Sequence, residues 1–222
     1  MNKNLPNVLV FASGTKTGGG SGFQKMVEAT RLNPPVLNAK ICGVISNHSA
    51  GGVWQKAKSL GILFMHWAGS FLAKDYQQLI SLFDADFIML SGWLKLVAGL
   101  EPARTINIHP GPLPRFGGPN MHGHHVHEAV MEAYRRGEII HSAVAMHFVD
   151  EVYDRGPIFF QFPVPIEPND TPETLAAKVN VVEHNYQSWA LNLVVQGRIK
   201  LINGKVIYDP PELKHLLMPA IN

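Results

Sequence analysis

Two short segments hold the polar side chains whose types and spacing suit a reaction. The first, Asn107-Ile108-His109-Pro110-Gly111-Pro112-Leu113-Pro114-Arg115-Phe116, sets a carboxamide and an imidazole two residues apart. On an extended backbone such side chains project to one face. An amide donor beside an imidazole can polarise a carbonyl while moving a proton, the pair of tasks that acyl transfer to an amine requires. The prolines after His109 stiffen the exit from that strand. Taken alone, the segment also describes a satisfied structural histidine.

The second segment, Met146-His147-Phe148-Val149-Asp150-Glu151-Val152-Tyr153-Asp154-Arg155-Gly156-Pro157, puts a carboxylate on a tight loop after a strand. A carboxylate next to His109 would favour imidazolium and hold the ring, so Asp154 is expected to raise the His109 pKa. An Asp ahead of Arg-Gly-Pro is equally a turn former.

Two further segments are candidates for binding. The loop Ser13-Gly14-Thr15-Lys16-Thr17-Gly18-Gly19-Gly20-Ser21-Gly22 follows a strand and opens a helix, where backbone amides bind phosphate. It is not a Walker loop, because Gly20-Ser21 stands where Lys followed by Ser or Thr is required; Lys16 either supplies a phosphate cation or solvates a longer loop. The run His122-Gly123-His124-His125-Val126-His127 invites a metal, but it has no Cys or dependable carboxylate partner, so no metal is expected.

The elements that must position these groups follow from periodicity. Short apolar, β-branched runs at residues 8–12, 39–46, 62–67 and 87–90 predict strands, and 23–31, 53–60 and 74–83 predict the helices between them. That alternation predicts an α/β fold, a doubly wound, mostly parallel sheet with helices on both faces and ligands beyond the carboxyl ends of the strands. Further along, 105–108, 143–149 and 158–166 are strand-like, the last near a sheet edge because it carries prolines. A helix is expected over 127–136. A long one over 173–196 has Thr171 as cap, Pro172 at its first position and Gly197 as its stop. Asn203-Gly204 predicts a turn between two short strands in the tail.

Composition sets limits. The 222 residues, 46% hydrophobic and 16% charged, describe a globular chain, read as a single catalytic domain over 1–222. A net charge of +2 with no basic cluster argues against a nucleic-acid partner. The lone Cys42 excludes an intrachain disulfide. The N-terminus reaches its apolar run too soon for a signal peptide, and no apolar stretch approaches about 18 residues, so no membrane partner and a cytoplasmic location are expected.

Together the two reactive segments resemble the folate-dependent formyltransferase family that uses 10-formyltetrahydrofolate. The resemblance covers about residues 8–200 and is most specific in Asn107-Ile108-His109-Pro110 with Leu113-Pro114, and in Val149-Asp150-Glu151 with Asp154 and Gly156-Pro157. It implies that Asn107 stabilises a tetrahedral oxyanion, that protonated His109 assists as general acid or base, and that Asp154 tunes His109 and orders a water. Leu94, Lys95, Leu96 and Val97, with Asn107 and His147, would contact the folate. Gly14, Thr15, Lys16, Gly20, Ser21, Gly22 and Glu183 would hold the acceptor, a phosphorylated ribosyl amine, with glycinamide ribonucleotide the leading choice. Formylation of an amino-sugar nucleotide, hydrolysis of formyl-folate and silent binding are the alternatives. One departure stands out: the family loop is a shorter Ser-Gly-x-Gly-Ser-Asn-Leu-Gln, whereas this chain reads Gly20-Ser21-Gly22-Phe23-Gln24 and lacks the Asn.

Overall fold

The computed structural model describes residues 5–219. Met1 to Asn4, part of the segment read against a signal peptide, and the last three residues of the tail lie outside the described residues. Seven strands form one sheet: β1 (Asn7–Phe11), β2 (Lys40–Ser46), β3 (Phe64–His66), β4 (Phe87–Leu90), β5 (Thr105–His109), β6 (His141–Phe148) and β7 (Ile158–Pro165). Their order is β3-β2-β1-β4-β5-β6-β7. The first five run parallel; β6 turns antiparallel to β5, and β7 to β6. The expected α/β class therefore holds, and β7, with Pro163 and Pro165, occupies the edge that its prolines require.

The helices are α1 (Ser21–Thr30), α2 (Gly52–Leu60), α3 (Ala73–Phe83), α4 (His124–Arg135), α5 (Pro172–Val195) and α6 (Leu213–Leu217). Strand alternation divides the core between them. Val8 and Val10 of β1 join a cluster with α1, α2, α4 and α5, while Leu9 and Phe11 point the other way, onto α3 and Trp93. Both faces are covered, but unequally. On the thinner face Phe11 meets Trp93 edge-on at 5.3 Å and Tyr76 at 5.7 Å. Burying each such ring contributes about 1.5–3 kcal/mol.

Local signals act as expected at most boundaries. Thr171 caps α5 by accepting from the Thr174 amide, and Pro172 occupies the first helical position. Asn203 (φ 49°) and Gly204 (φ 73°) turn β8 (Ile199–Ile202) into β9 (Lys205–Tyr208), a separate two-stranded sheet. Helix α4 departs from expectation: it begins at His124, three residues early, because its buried stripe of Val126, Val130 and Met131 needs the preceding turn.

Although β2 and β3 separate them in sequence, β1 and β4 are neighbours. From this pair the chain winds to opposite sides, so the loops that leave β1 and β4 diverge and open a crevice at the carboxyl edge.

Candidate active site

The crevice is a cavity of about 780 Å³, within the range of small-molecule sites. Its walls come from the glycine loop after β1, residues 91–97 after β4, the exit of β5, the β6–β7 loop and one face of α5. Polar contacts brace the first two loops against each other. Ser13 N donates to Gly92 O at 3.0 Å, and Leu94 N donates to Ser13 Oγ at 3.0 Å. Tyr76 holds the far end, accepting from Trp93 Nε1 at 3.1 Å and donating to the Leu96 carbonyl at 3.0 Å.

Period-2 alternation sends Ile106 and Ile108 into the core and turns Asn107 and His109 to the opposite face. The antiparallel register then sets His147 of β6 directly across from Asn107. Asp154, in the loop after β6 with φ 54°, reaches back to all three. Asn107 Nδ2 lies 3.1 Å from His147 Nε2 and donates to Asp154 Oδ1 at 3.2 Å. His109 Nδ1 stands 3.6 Å from Asp154 Oδ2, which accepts the Gly118 amide at 3.0 Å. His109 Nε2 meets the Phe116 carbonyl at 2.7 Å, and His147 Nδ1 meets the Phe148 carbonyl at 2.8 Å. A carbonyl only accepts, so those two nitrogens carry the protons. Residues 116–118 thus fix both the ring and the carboxylate.

Electrostatics revise one expectation. Asp154 does act to raise the His109 pKa, but burial is the larger influence and holds the imidazole below its ordinary value. The surroundings favour the neutral ring over the protonated one, because His109 is 3% exposed and a charge there would lose its hydration. Asp154 is also desolvated. That alone would raise its pKa; the His147 ring 3.4 Å away, the His109 ring and the Gly118 amide overcome it and hold the carboxyl below the usual carboxylate value.

Residues 6–191 match the family described as formyl transferase. The chain belongs to the formyl transferase family. It is 32% identical over 195 residues to phosphoribosylglycinamide formyltransferase, chloroplastic, of Arabidopsis thaliana, which matches 83% of this chain and 65% of that protein. The protein of that name from Vigna unguiculata is 35% identical, over 82% of this chain and 60% of its own length. The chain therefore spans less than two thirds of these plant relatives. The solved phosphoribosylglycinamide formyltransferase of Coxiella burnetii superposes with a TM-score of 0.77 at 28% identity, covering 93% of this chain and 94% of that one.

In this member of the family the cavity gathers the sequence-predicted residues with one exception. Lys16 is exposed and does not line it, because the loop folds back on itself: Thr15 N donates to Gly18 O at 2.9 Å, and Gly18 N donates to Thr15 Oγ1 at 2.8 Å. Glu183 lines the cavity half-buried, and desolvation pushes its carboxyl up to about 7, opposed by the Asn180 amide at 3.4 Å.

Sequence reading missed Asn180 and Gln187, which line the cavity with Ser91 and with His127 of the histidine run. A signal existed for both. Ala176, Asn180, Glu183, His184 and Gln187 recur at helical spacing and form one stripe on α5. Among the described residues no group of three or more His, Cys, Asp or Glu side chains is placed to hold a metal ion, those of the histidine run included. His124 and His125 instead lie 3.4 and 3.2 Å from Glu128 carboxylate oxygens on the exposed side of α4. His127 is buried with an unpartnered Nδ1, and burial brings its pKa down to about 4.

Proposed function

We propose that this chain transfers the formyl group of 10-formyltetrahydrofolate to the primary amine of glycinamide ribonucleotide. The observation that carries this reading is the convergence of Asn107, His109 and His147 on Asp154 beside a cavity roomy enough for both reactants. The names of the plant relatives support the same acceptor. No metal is required by the chemistry.

The amine nitrogen attacks the formyl carbon and the carbonyl oxygen takes up the electron pair. His109, neutral through burial, accepts the amine's proton at Nδ1, the nitrogen not occupied by Phe116. Asp154 then stabilises the imidazolium and orders a water beside it. Asn107 Nδ2 donates to the oxyanion in exchange for one of its resting contacts. Collapse breaks the bond from carbon to N10, and the proton passes to N10, giving the formamide and tetrahydrofolate. Leu94, Lys95, Leu96 and Val97 receive the pterin, with Asn107 and His147 at its reacting end. Gly14, Thr15, Gly20, Ser21 and Gly22 receive the phosphate, and Glu183 contacts the glycinamide ribonucleotide. Lys16 has no part in this arrangement.

Among the described residues no helix is long and apolar enough to cross a membrane. The partners we propose are these small molecules alone, with no nucleic acid, and the location cytoplasmic, in keeping with a single unpaired cysteine. The test is a steady-state assay of purified protein with formyl-folate and glycinamide ribonucleotide. Amine-dependent release of tetrahydrofolate with matching formamide is expected. Release without amine makes the chain a hydrolase, and no release with any amine makes it a binder.

A further inference from the structure

A side chain on Gly22, in the first turn of α1, would displace two polar side-chain ends. A Cβ there would stand 2.4 Å from Ser91 Oγ and 2.7 Å from Gln187 Oε1. The crowding groups come from two other elements, the loop after β4 and the middle of α5, and they are joined. Gln187 Nε2 donates to Ser91 Oγ at 3.1 Å and lies 3.5 Å from Met26 Sδ. Gln187 is 1% exposed, and among the described residues its Oε1 accepts no hydrogen bond. A buried carboxamide end facing a cavity without a protein partner is a group awaiting a ligand or water.

The related loop pattern has an Asn where this chain has Gly22. Here the space beside that backbone position is filled by a carboxamide from α5. We propose that Gln187 supplies from α5 the carboxamide that the related pattern carries on α1, and that it binds the ribosyl phosphate portion of the acceptor. The inference rests on the acceptor reading above. Three features support the ligand class. Gly20 caps α1 with no side chain, so the first amides of that helix are free to meet an anion. Gly22, Ser91 and Gln187 all line the cavity. A half-turn of the carboxamide presents either its oxygen or its nitrogen to the same point, so it can accept from a sugar hydroxyl or donate to a phosphate oxygen.

The exchange predicts reciprocity, which a merely structural Gln187 would not produce. Binding of ribose 5-phosphate, with inorganic phosphate as second probe, is measured by calorimetry on the full chain. The variants are Gln187→Ala, Gly22→Asn and the two together. Gln187→Ala weakens ribose 5-phosphate about tenfold, the worth of one lost hydrogen bond. Gly22→Asn alone also weakens it, by collision, and the double variant recovers to within about threefold of wild type. In turnover, KM for the acceptor rises with the binding loss while KM for formyl-folate holds. Gln187→Met keeps the volume and removes the carboxamide, and reads the same loss if Gln187→Ala does not fold. Equal weakening of both probes assigns the contact to phosphate, and weakening of ribose 5-phosphate alone assigns it to a hydroxyl; either supports the proposal. Unchanged binding by Gln187→Ala and Gln187→Met overturns it, as does a double variant no better than its worse parent. Wild type that binds neither probe overturns it too. Wild type that binds ribose 5-phosphate yet formylates no amine sinks the acceptor reading, and the role of Gln187 is then decided by the binding series alone.

Discussion

Asn107 and His147 stand opposite each other in the antiparallel β5–β6 register, and the Asn107 carboxamide nitrogen meets His147 Nε2 at 3.1 Å. The same nitrogen donates to Asp154 at 3.2 Å, so both amide hydrogens are engaged before any substrate arrives. The carboxamide is held in place by both contacts, and in the proposed reaction one of these hydrogens turns to the developing oxyanion without moving the backbone.

From this follows a large effect of Asn107→Ala. Loss of a pre-placed donor to a tetrahedral oxyanion lowers kcat by about 10²–10³, with both KM values changed only a few-fold. Steady-state kinetics on the folded variant check this. A kcat within tenfold of wild type would remove Asn107 from the chemistry.

Asp154→Asn tests the sign of the His109 electrostatics. Burial holds the His109 pKa below its ordinary 6.5, and the Asp154 charge works upward against it. The acid limb of kcat/KM, where the base becomes protonated, therefore lies below 6.5. Removing the charge moves that limb to still lower pH, while the plateau falls by about 10²-fold or more. A pH profile shows both, and a limb displaced upward refutes the assignment.

His127 makes folding acid-sensitive. Its folded pKa is about 4, against 6.5 for the free side chain. Protons bind the unfolded chain first, so the contribution of the neutral buried ring is complete above 6.5 and lost as the pH falls toward 4. Between pH 7.5 and 5 this amounts to about 2 kcal/mol. Denaturant unfolding at those two pH values should show wild type losing about 2 kcal/mol more than His127→Leu; parallel losses would disprove the idea.

Gly156→Ala connects backbone room to the reaction centre. A Cβ at Gly156 would stand 1.7 Å from the Phe148 carbonyl oxygen, which is backbone and cannot rotate away. The loop must shift and take Asp154 with it. We expect a loss of at least about tenfold in kcat/KM, since small displacements of a catalytic group are costly, together with a lowered melting temperature. Wild-type values for both would mean that the loop has slack.

Much of the architecture was legible because its signals are local. Apolar β-branched runs marked β1, β2, β4 and β5, and Thr171-Pro172 marked the start of α5. Period-2 alternation put Asn107 and His109 on one side of β5. The α4 boundary was misplaced because the histidine run 122–127 hides the Val126, Val130 and Met131 stripe behind polar residues.

By itself the sequence determined the alternation of strands and helices, the pairing of Asn107 with His109 on one face and the family to which the segments belong. Those features depend on a residue's own type and its near neighbours, through backbone geometry and the side-chain period. Only the tertiary structure decided that Asp154 meets His109, that burial works to lower the imidazole's pKa, that Lys16 turns to solvent and that Gln187 fills the space beside Gly22. Distances between remote segments, and the dielectric around a buried charge, come from the summed packing of several elements, and no local pattern carries that sum.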